Sequence, residues 1–137
     1  MTYGSRPRLI DIKRICDLRG NLAVIESPGS LPFAPARCYW LNDIPAGENR
    51  EGHAYHRSAE LIVPLSGSFT VATCDACGSR EEFRMTRPDT GLLVPPGIWR
   101  QLIGFTTNAT ALIVASTPYD PDDYIRDFAT FLKTRTE

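Results

Sequence analysis

Proline and glycine cut this chain into short pieces: 11 prolines and 10 glycines are spread along it. The runs between them alternate apolar and polar residues. They cover 8–15, 22–27, 36–43, 53–57, 59–65, 68–74, 81–87, 91–95, 100–105 and 110–116. Period-two alternation in runs of this length predicts strands. No strand–helix alternation occurs, which argues against a parallel sheet. Many short strands with turn residues between them predict an antiparallel barrel or sandwich. One helix is expected near the C-terminus. Asp120 can cap it, Pro121 suits its first turn, and Asp122 and Asp123 oppose the positive end of its dipole. Tyr124, Ile125, Phe128, Phe131 and Leu132 would then form one apolar stripe, read as a seam against the core or a partner.

At 137 residues and 42% hydrophobic content, the chain fits a single domain over 1–137 with a real core. A net charge of −1 gives no basic field for nucleic acid. No apolar run reaches membrane-span length, and the N-terminal MTYGSRPRLIDIKR has no apolar signal region. The expectation is a cytoplasmic protein without nucleic-acid or membrane partners. Cys16, Cys38, Cys74 and Cys77 are scattered through strand-like segments and read as free thiols in a reducing compartment. Cys74-x-x-Cys77 lacks the second pair a zinc site needs and the βαβ setting of a redox pair, so it reads as a hairpin turn.

The densest chemistry lies between Gly47 and Gly67. His53 and Tyr55 fall on one face of a strand, because side chains repeat every second residue. Glu60 follows at the head of an apolar run. Two polar aromatic side chains followed by a carboxylate look like a pocket wall, since small all-β barrels hold ligands in their mouths. His53 and His56 are three apart, a helical spacing, and are not read as a metal pair. For His53 the plain alternative is a core histidine.

This spacing resembles the first signature of the cupin superfamily, in which His-x-His and a Glu hold a metal. Gly91–Arg100, GLLVPPGIWR, resembles the second, with Arg100 at the last metal-binding histidine. A metal would therefore meet His53, Tyr55, Glu60 and Arg100. A guanidinium stays protonated and donates no lone pair. One imidazole is too few for a transition metal, so no metal and no other cofactor is expected. Arg19, Arg37, Arg50 and Arg100 lie on or beside strands. Any one of them reads equally as a solvated surface residue, but together they suit an anionic ligand such as a pyrophosphate.

DLRGNL, RCYWLNDIP, REGHA, LSGSF, VPPGIWR and the stretch from Ala115 to Phe128 resemble the cupin-type nucleotide-sugar 3,4-ketoisomerases. The resemblance implies an all-β cupin fold: a double-stranded β-helix, or jelly-roll, antiparallel barrel with one C-terminal helix. It implies a homodimer without metal, acting on dTDP-4-keto-6-deoxy-D-glucose in deoxyamino-sugar synthesis. In the family a base removes the carbon-3 proton and a proton is delivered to carbon 4. On this pattern the first family histidine matches His53, the nearby tyrosine matches Tyr39, and the second histidine matches Tyr55. Catalysis is thus expected from His53, Tyr55 and Tyr39. Substrate binding is expected from Arg19, Arg37, Arg50, Arg100 and Glu60, with Arg50 first for the pyrophosphate. Arg19 and Arg100 match positions that help set the outcome at carbon 4. An unperturbed imidazole titrates near working pH, which favours His53 as base. With Tyr55 in place of a histidine, a catalytically silent nucleotide-sugar binder is the alternative. A metal-dependent cupin such as a dioxygenase is a third reading.

Overall fold

The computed structural model describes residues 4–136. The chain forms β1 (Arg8–Asp11), β2 (Lys13–Asp17), β3 (Gly20–Val24), β4 (Arg37–Leu41), β5 (Ala54–Tyr55) and β6 (Glu60–Ser66). It continues through β7 (Phe69–Cys74), β8 (Arg80–Met85), β9 (Thr90–Val94), β10 (Trp99–Ile103), β11 (Thr110–Ala115), β12 (Tyr124–Ile125) and a short helix α1 (Phe128–Leu132). One antiparallel sheet runs β1-β9-β6-β11-β4 and faces a second, β10-β7-β8. This is a jelly roll of two sheets that do not close into a continuous barrel. β5 and β12 pair with each other, as do β2 and β3.

Alternation along β6 decides what lies where. Ile62 points between the sheets, beside Phe69, Val71, Leu92, Leu102, Phe105 and Ile113. Leu61 and Val63 point the other way, under Leu31, Phe33 and Val114. Burying each such side chain contributes about 1.5–3 kcal/mol, so one strand knits two cores. Glu60 shares the inward parity of Ile62. The β6–β7 turn depends on Gly67, whose φ is +61° and whose added Cβ would lie 2.7 Å from Ala109 Cα. A side chain there would be strained twice over, by backbone conformation and by space.

Two expected elements differ. The run 8–15 is not one strand. It turns at Ile12, which is buried and donates its backbone N–H to Asp89 O at 2.8 Å. β1 stays on β9, while β2 and β3 form a hairpin exposed from Lys13 to Ala23. The expected C-terminal helix is present but short, and it starts later than its first cap. Asp120 does cap, accepting from Asp122 N, but only a 3₁₀ turn over Pro121–Asp123 follows. The chain then straightens into β12 and starts α1 from a second cap, Asp127.

The break has a cause. Asp123 is buried, and its carboxylate accepts from the backbone N–H of Arg57 at 2.8 Å and of Ser58 at 3.2 Å. His56 N donates to Asp123 O at 3.0 Å. Continuing the helix would pull Asp123 off these donors. Its cost of unmade bonds would exceed what a few exposed helical residues return. This lock holds β12 beside β5, and so carries Tyr124 to His53. Asp123→Ala strands the buried Ser58 N–H along with that of Arg57. It should lower unfolding stability by about 2 kcal/mol, read as a shift in denaturation midpoint.

Candidate active site

Between the two sheets the fold leaves a cavity of about 570 Å³. Leu41, Ile62, Leu102 and Ile113 give it an apolar floor. Tyr39, His53, Glu60, Arg100 and Tyr124 form a polar wall, and Asn49, Arg50, Glu51 and Arg126 complete the lining.

β10 positions two residues of the wall. Arg100 and His53 exchange backbone hydrogen bonds, His53 N to Arg100 O at 3.0 Å and Arg100 N to His53 O at 2.9 Å. The loop before His53 is tied to the same strand: Arg50 N donates to Leu102 O, and Gly104 N donates to Asn49 Oδ1, both at 2.9 Å. Arg50 is therefore an exposed side chain on a fixed backbone at the cavity's edge.

Glu60 anchors the interior. It is 1% exposed, and both oxygens are engaged by protein. Oε1 accepts from Arg100 Nη1 at 2.7 Å, and Oε2 accepts from the Tyr39 hydroxyl at 2.5 Å. Arg37 Nη2 stands 3.7 Å from Oε2. Arg100, also 1% exposed, places Nη2 and Nε on Ile98 O at 3.0 and 3.3 Å. A buried ion pair survives only when its remaining donors are satisfied, and Ile98 O does this. The guanidinium thus gives Glu60 the positive partner that a metal gives the corresponding glutamate in metal-binding cupins. Glu60, expected to bind substrate, has its carboxylate committed to Tyr39 and Arg100.

Tyr55 is displaced from its expected role. It does share a face with His53, with ring centroids 4.9 Å apart in an edge contact. It is, however, 0% exposed and does not line the cavity. Its ring packs on Tyr124 at 4.7 Å and lies under the Arg100 guanidinium at 5.0 Å and that of Arg37 at 5.9 Å. The negative face of a phenol suits that position between cations. Its hydroxyl closes no hydrogen bond, though those of Tyr39 and Tyr124 sit near enough to act on its ionisation. Burial first, then Glu60 and Tyr39, push its acidity well below that of a free phenol.

Arg37 is likewise behind the wall, packed against the rings of Tyr39, Tyr55 and Tyr119 at 5.5 to 5.9 Å. Arg19 stands at the tip of the β2–β3 hairpin, 91% exposed and paired with Asp17 at 2.8 Å. Neither lines the cavity. The residues missed are Tyr124 and Arg126. The guanidinium of Arg126 sits 4.0 Å over the Tyr124 ring. Both were visible in the PYDPDDYIR stretch, but reading it as one helix assigned Tyr124 to a seam.

His53 does not keep an ordinary imidazole's acidity. Burial, then the guanidinia of Arg100 and Arg126, push its pKa from 6.5 down to about 3, against a hydrogen bond to the Glu51 backbone that raises it. Nε2 is buried without a partner, so the bond to Glu51 runs through Nδ1 and leaves Nε2 with the lone pair. The ring is a neutral base across working pH, rather than one poised to titrate there. An anionic ligand beside Arg126 would offset that guanidinium and ease protonation of the ring. Tyr39 is moved the opposite way from an acid's needs: burial, then Glu60, hold its proton more tightly than an ordinary phenol does.

Over residues 5–136 the chain matches the family described as FdtA: WxcM-like, C-terminal, and it belongs to that family. It is 33% identical over 126 residues to the TDP-4-oxo-6-deoxy-alpha-D-glucose-3,4-oxoisomerase of Aneurinibacillus thermoaerophilus, covering 92% of this chain and 90% of that one. Among solved structures, the WlaRB TDP-quinovose 3,4-ketoisomerase of Campylobacter jejuni is 30% identical with a TM-score of 0.88, covering 93% and 97% of the two chains. A mutant of the 3,4-ketoisomerase QdtA from Thermoanaerobacterium thermosaccharolyticum, in complex with TDP-4-keto-6-deoxyglucose, is 27% identical with a TM-score of 0.91, covering 98% and 95%.

The depressed His53 pKa carries a stability consequence. Below pH 6.5 the unfolded chain takes up a proton that the folded chain refuses until about pH 3. Stability therefore falls as pH drops through this window. Between pH 7 and 5 the loss through His53 is on the order of 2 kcal/mol. His53→Asn should show that much less acid sensitivity than the wild type in denaturant titrations at the two pH values.

Proposed function

We propose that this chain is a nucleotide-sugar 3,4-ketoisomerase, converting TDP-4-keto-6-deoxyglucose to a 3-keto-6-deoxyhexose by proton transfer through an enediolate. Its family membership and its 33% identical oxoisomerase relative support the reaction class. The observation that carries it to this site is the neutral His53 ring on the cavity wall, with a free Nε2, beside cationic and phenolic groups.

The geometry supports the following assignment of roles. His53 Nε2 takes the proton from sugar carbon 3 and returns it to carbon 4 from the same face. Among the described residues only one imidazole lines the cavity, because Tyr55 stands where the resembling enzymes have a second histidine and is sealed behind the wall. Tyr124 is a phenol on the cavity wall, placed to donate to the developing oxyanion. Arg50 and Arg126, at the exposed edge, take the pyrophosphate, since guanidinia pair with phosphate through two donors at once. The apolar floor keeps water from the enediolate. The reading that this is a silent binder would require His53 to be inert.

The same proposal includes a metal-free site. Glu60 spends both oxygens on Tyr39 and Arg100, and among the described residues no group of three or more His, Cys, Asp or Glu gathers as a metal site. It also includes a homodimer. Ile15, Leu18 and Leu22 are exposed on the β2–β3 hairpin, and Leu9 and Trp40 on the edge strands β1 and β4. Uncovered edges and apolar side chains of this kind favour association. No helix among the described residues is long and apolar enough to cross a membrane, and a cytoplasmic location accords with a nucleotide-sugar substrate.

His53→Asn should abolish exchange of the carbon-3 proton with solvent deuterium while leaving TDP binding intact. General bases contribute about 10² to 10⁴ in rate, so NMR would resolve the loss. Retained exchange in this variant would exclude His53 as the base. Arg50→Ala should weaken TDP binding by about tenfold or more through loss of a charge-assisted contact. Unchanged affinity in calorimetry would remove Arg50 from the phosphate site.

A further inference from the structure

A donor stabilises a developing oxyanion best when its proton already points there. The hydrogen of a phenol turns about its C–O bond to suit whatever neighbour it finds. Tyr39 is held by Glu60, whose Oε2 takes its proton at 2.5 Å. Tyr124, on the same cavity wall, is not held by that carboxylate. Beside it lies Tyr55, which is 0% exposed and whose hydroxyl is buried without a partner.

We propose that Tyr55 is a positioning residue: from behind the wall its hydroxyl donates to the Tyr124 oxygen and so turns the Tyr124 proton into the cavity. This rests on the ketoisomerase reading of the site. Tyr124 on β12 is the direct register partner of Tyr55 on β5, and their rings meet edge-on at 4.7 Å. A buried hydroxyl left without a bond costs about 1–3 kcal/mol, so Tyr55 gains by closing one. The guanidinia of Arg37 and Arg100 over its ring carry donors only. The hydroxyl oxygens of Tyr39 and Tyr124 are close enough to act on it. Tyr39 already has its orientation from Glu60, so a bond to Tyr124 is the one that orders a free group. Such bonds are often long before substrate binds and tighten with it.

Tyr55 suits this task because it keeps its own proton. Burial first, then the charge of Glu60, hold that proton more tightly than an ordinary phenol's is held. The residue is therefore a donor and never a base. Its ring is fixed by the Arg100 guanidinium at 5.0 Å and the His53 ring at 4.9 Å. With a lone pair of Tyr124 occupied from behind, the single proton of Tyr124 is left for the cavity. It meets the oxygen that gains charge as His53 removes the carbon-3 proton. No bond to Tyr55 is made or broken in the reaction, and Tyr55 acts only through Tyr124.

Tyr55→Phe keeps the ring and removes only the hydroxyl. It should lower kcat for deuterium exchange at carbon 3 by about tenfold, with KM and TDP affinity unchanged. Its denaturation midpoint should not fall, because the atom removed has no partner. Tyr124→Phe should lower the same kcat by about 10². Adding Tyr55→Phe to Tyr124→Phe should cost nothing further, since one residue acts through the other. In a Tyr39→Phe background the loss from Tyr55→Phe should persist in full. A merely structural Tyr55 would instead lower stability, or lower kcat equally in both backgrounds. Unchanged kcat in either single variant, additive losses in the Tyr55–Tyr124 pair, or a loss that vanishes only with Tyr39→Phe would overturn the positioning role alone. Absence of exchange in the wild type would overturn the ketoisomerase reading, and the positioning role with it.

Discussion

The Glu60–Arg100 ion pair is the interaction on which the rest of the site depends. Two charges, each 1% exposed, meet at 2.7 Å in the space between two sheets. Removing either would leave the other uncompensated in a medium that stabilises charge poorly. The pair fixes three things at once. It directs the Tyr39 hydroxyl, it supplies the guanidinium against which the Tyr55 ring packs, and it places a positive charge that adds to burial in holding His53 neutral. The polar wall of the cavity is organised around this pair.

The Tyr55 position shows how such a pair reshapes its surroundings. A histidine in its place would lie against Arg100, near Arg37, and would be disfavoured as imidazolium. A phenol ring presents a negative face to both cations and is itself fully buried. The consequence is a site with one imidazole and several phenols. In the proposed reaction, carbon-proton transfer would then fall to a single base working on one face of the sugar.

Much of this was legible in residue order, and the illegible part has a common cause. Alternation in 59–65 and 110–116 located β6 and β11, and the parity of His53 and Tyr55 was right. Parity says which face a residue shares, not whether that face is open. Tyr55 is sealed by Tyr124, Arg37 and Arg100, which arrive from β12, β4 and β10. The C-terminal helix starts later than its first cap for the same reason. Its caps were real, but Asp123 answers to Arg57 and Ser58, more than sixty residues away in the chain. The acidity of His53 is set first by burial and then by the guanidinia of Arg100 and Arg126. Long-range partners of this kind leave no mark in local periodicity.

In the proposed reaction a neutral His53 drives a proton shift across adjacent sugar carbons. Incubation of the wild-type protein with TDP-4-keto-6-deoxyglucose in deuterated buffer, followed by NMR, tests this. A 3-keto product is expected, its carbon-4 hydrogen drawn from a pool shared between the substrate and solvent, without added metal. Recovery of the starting 4-ketosugar, with its carbon-3 proton unexchanged, would contradict it.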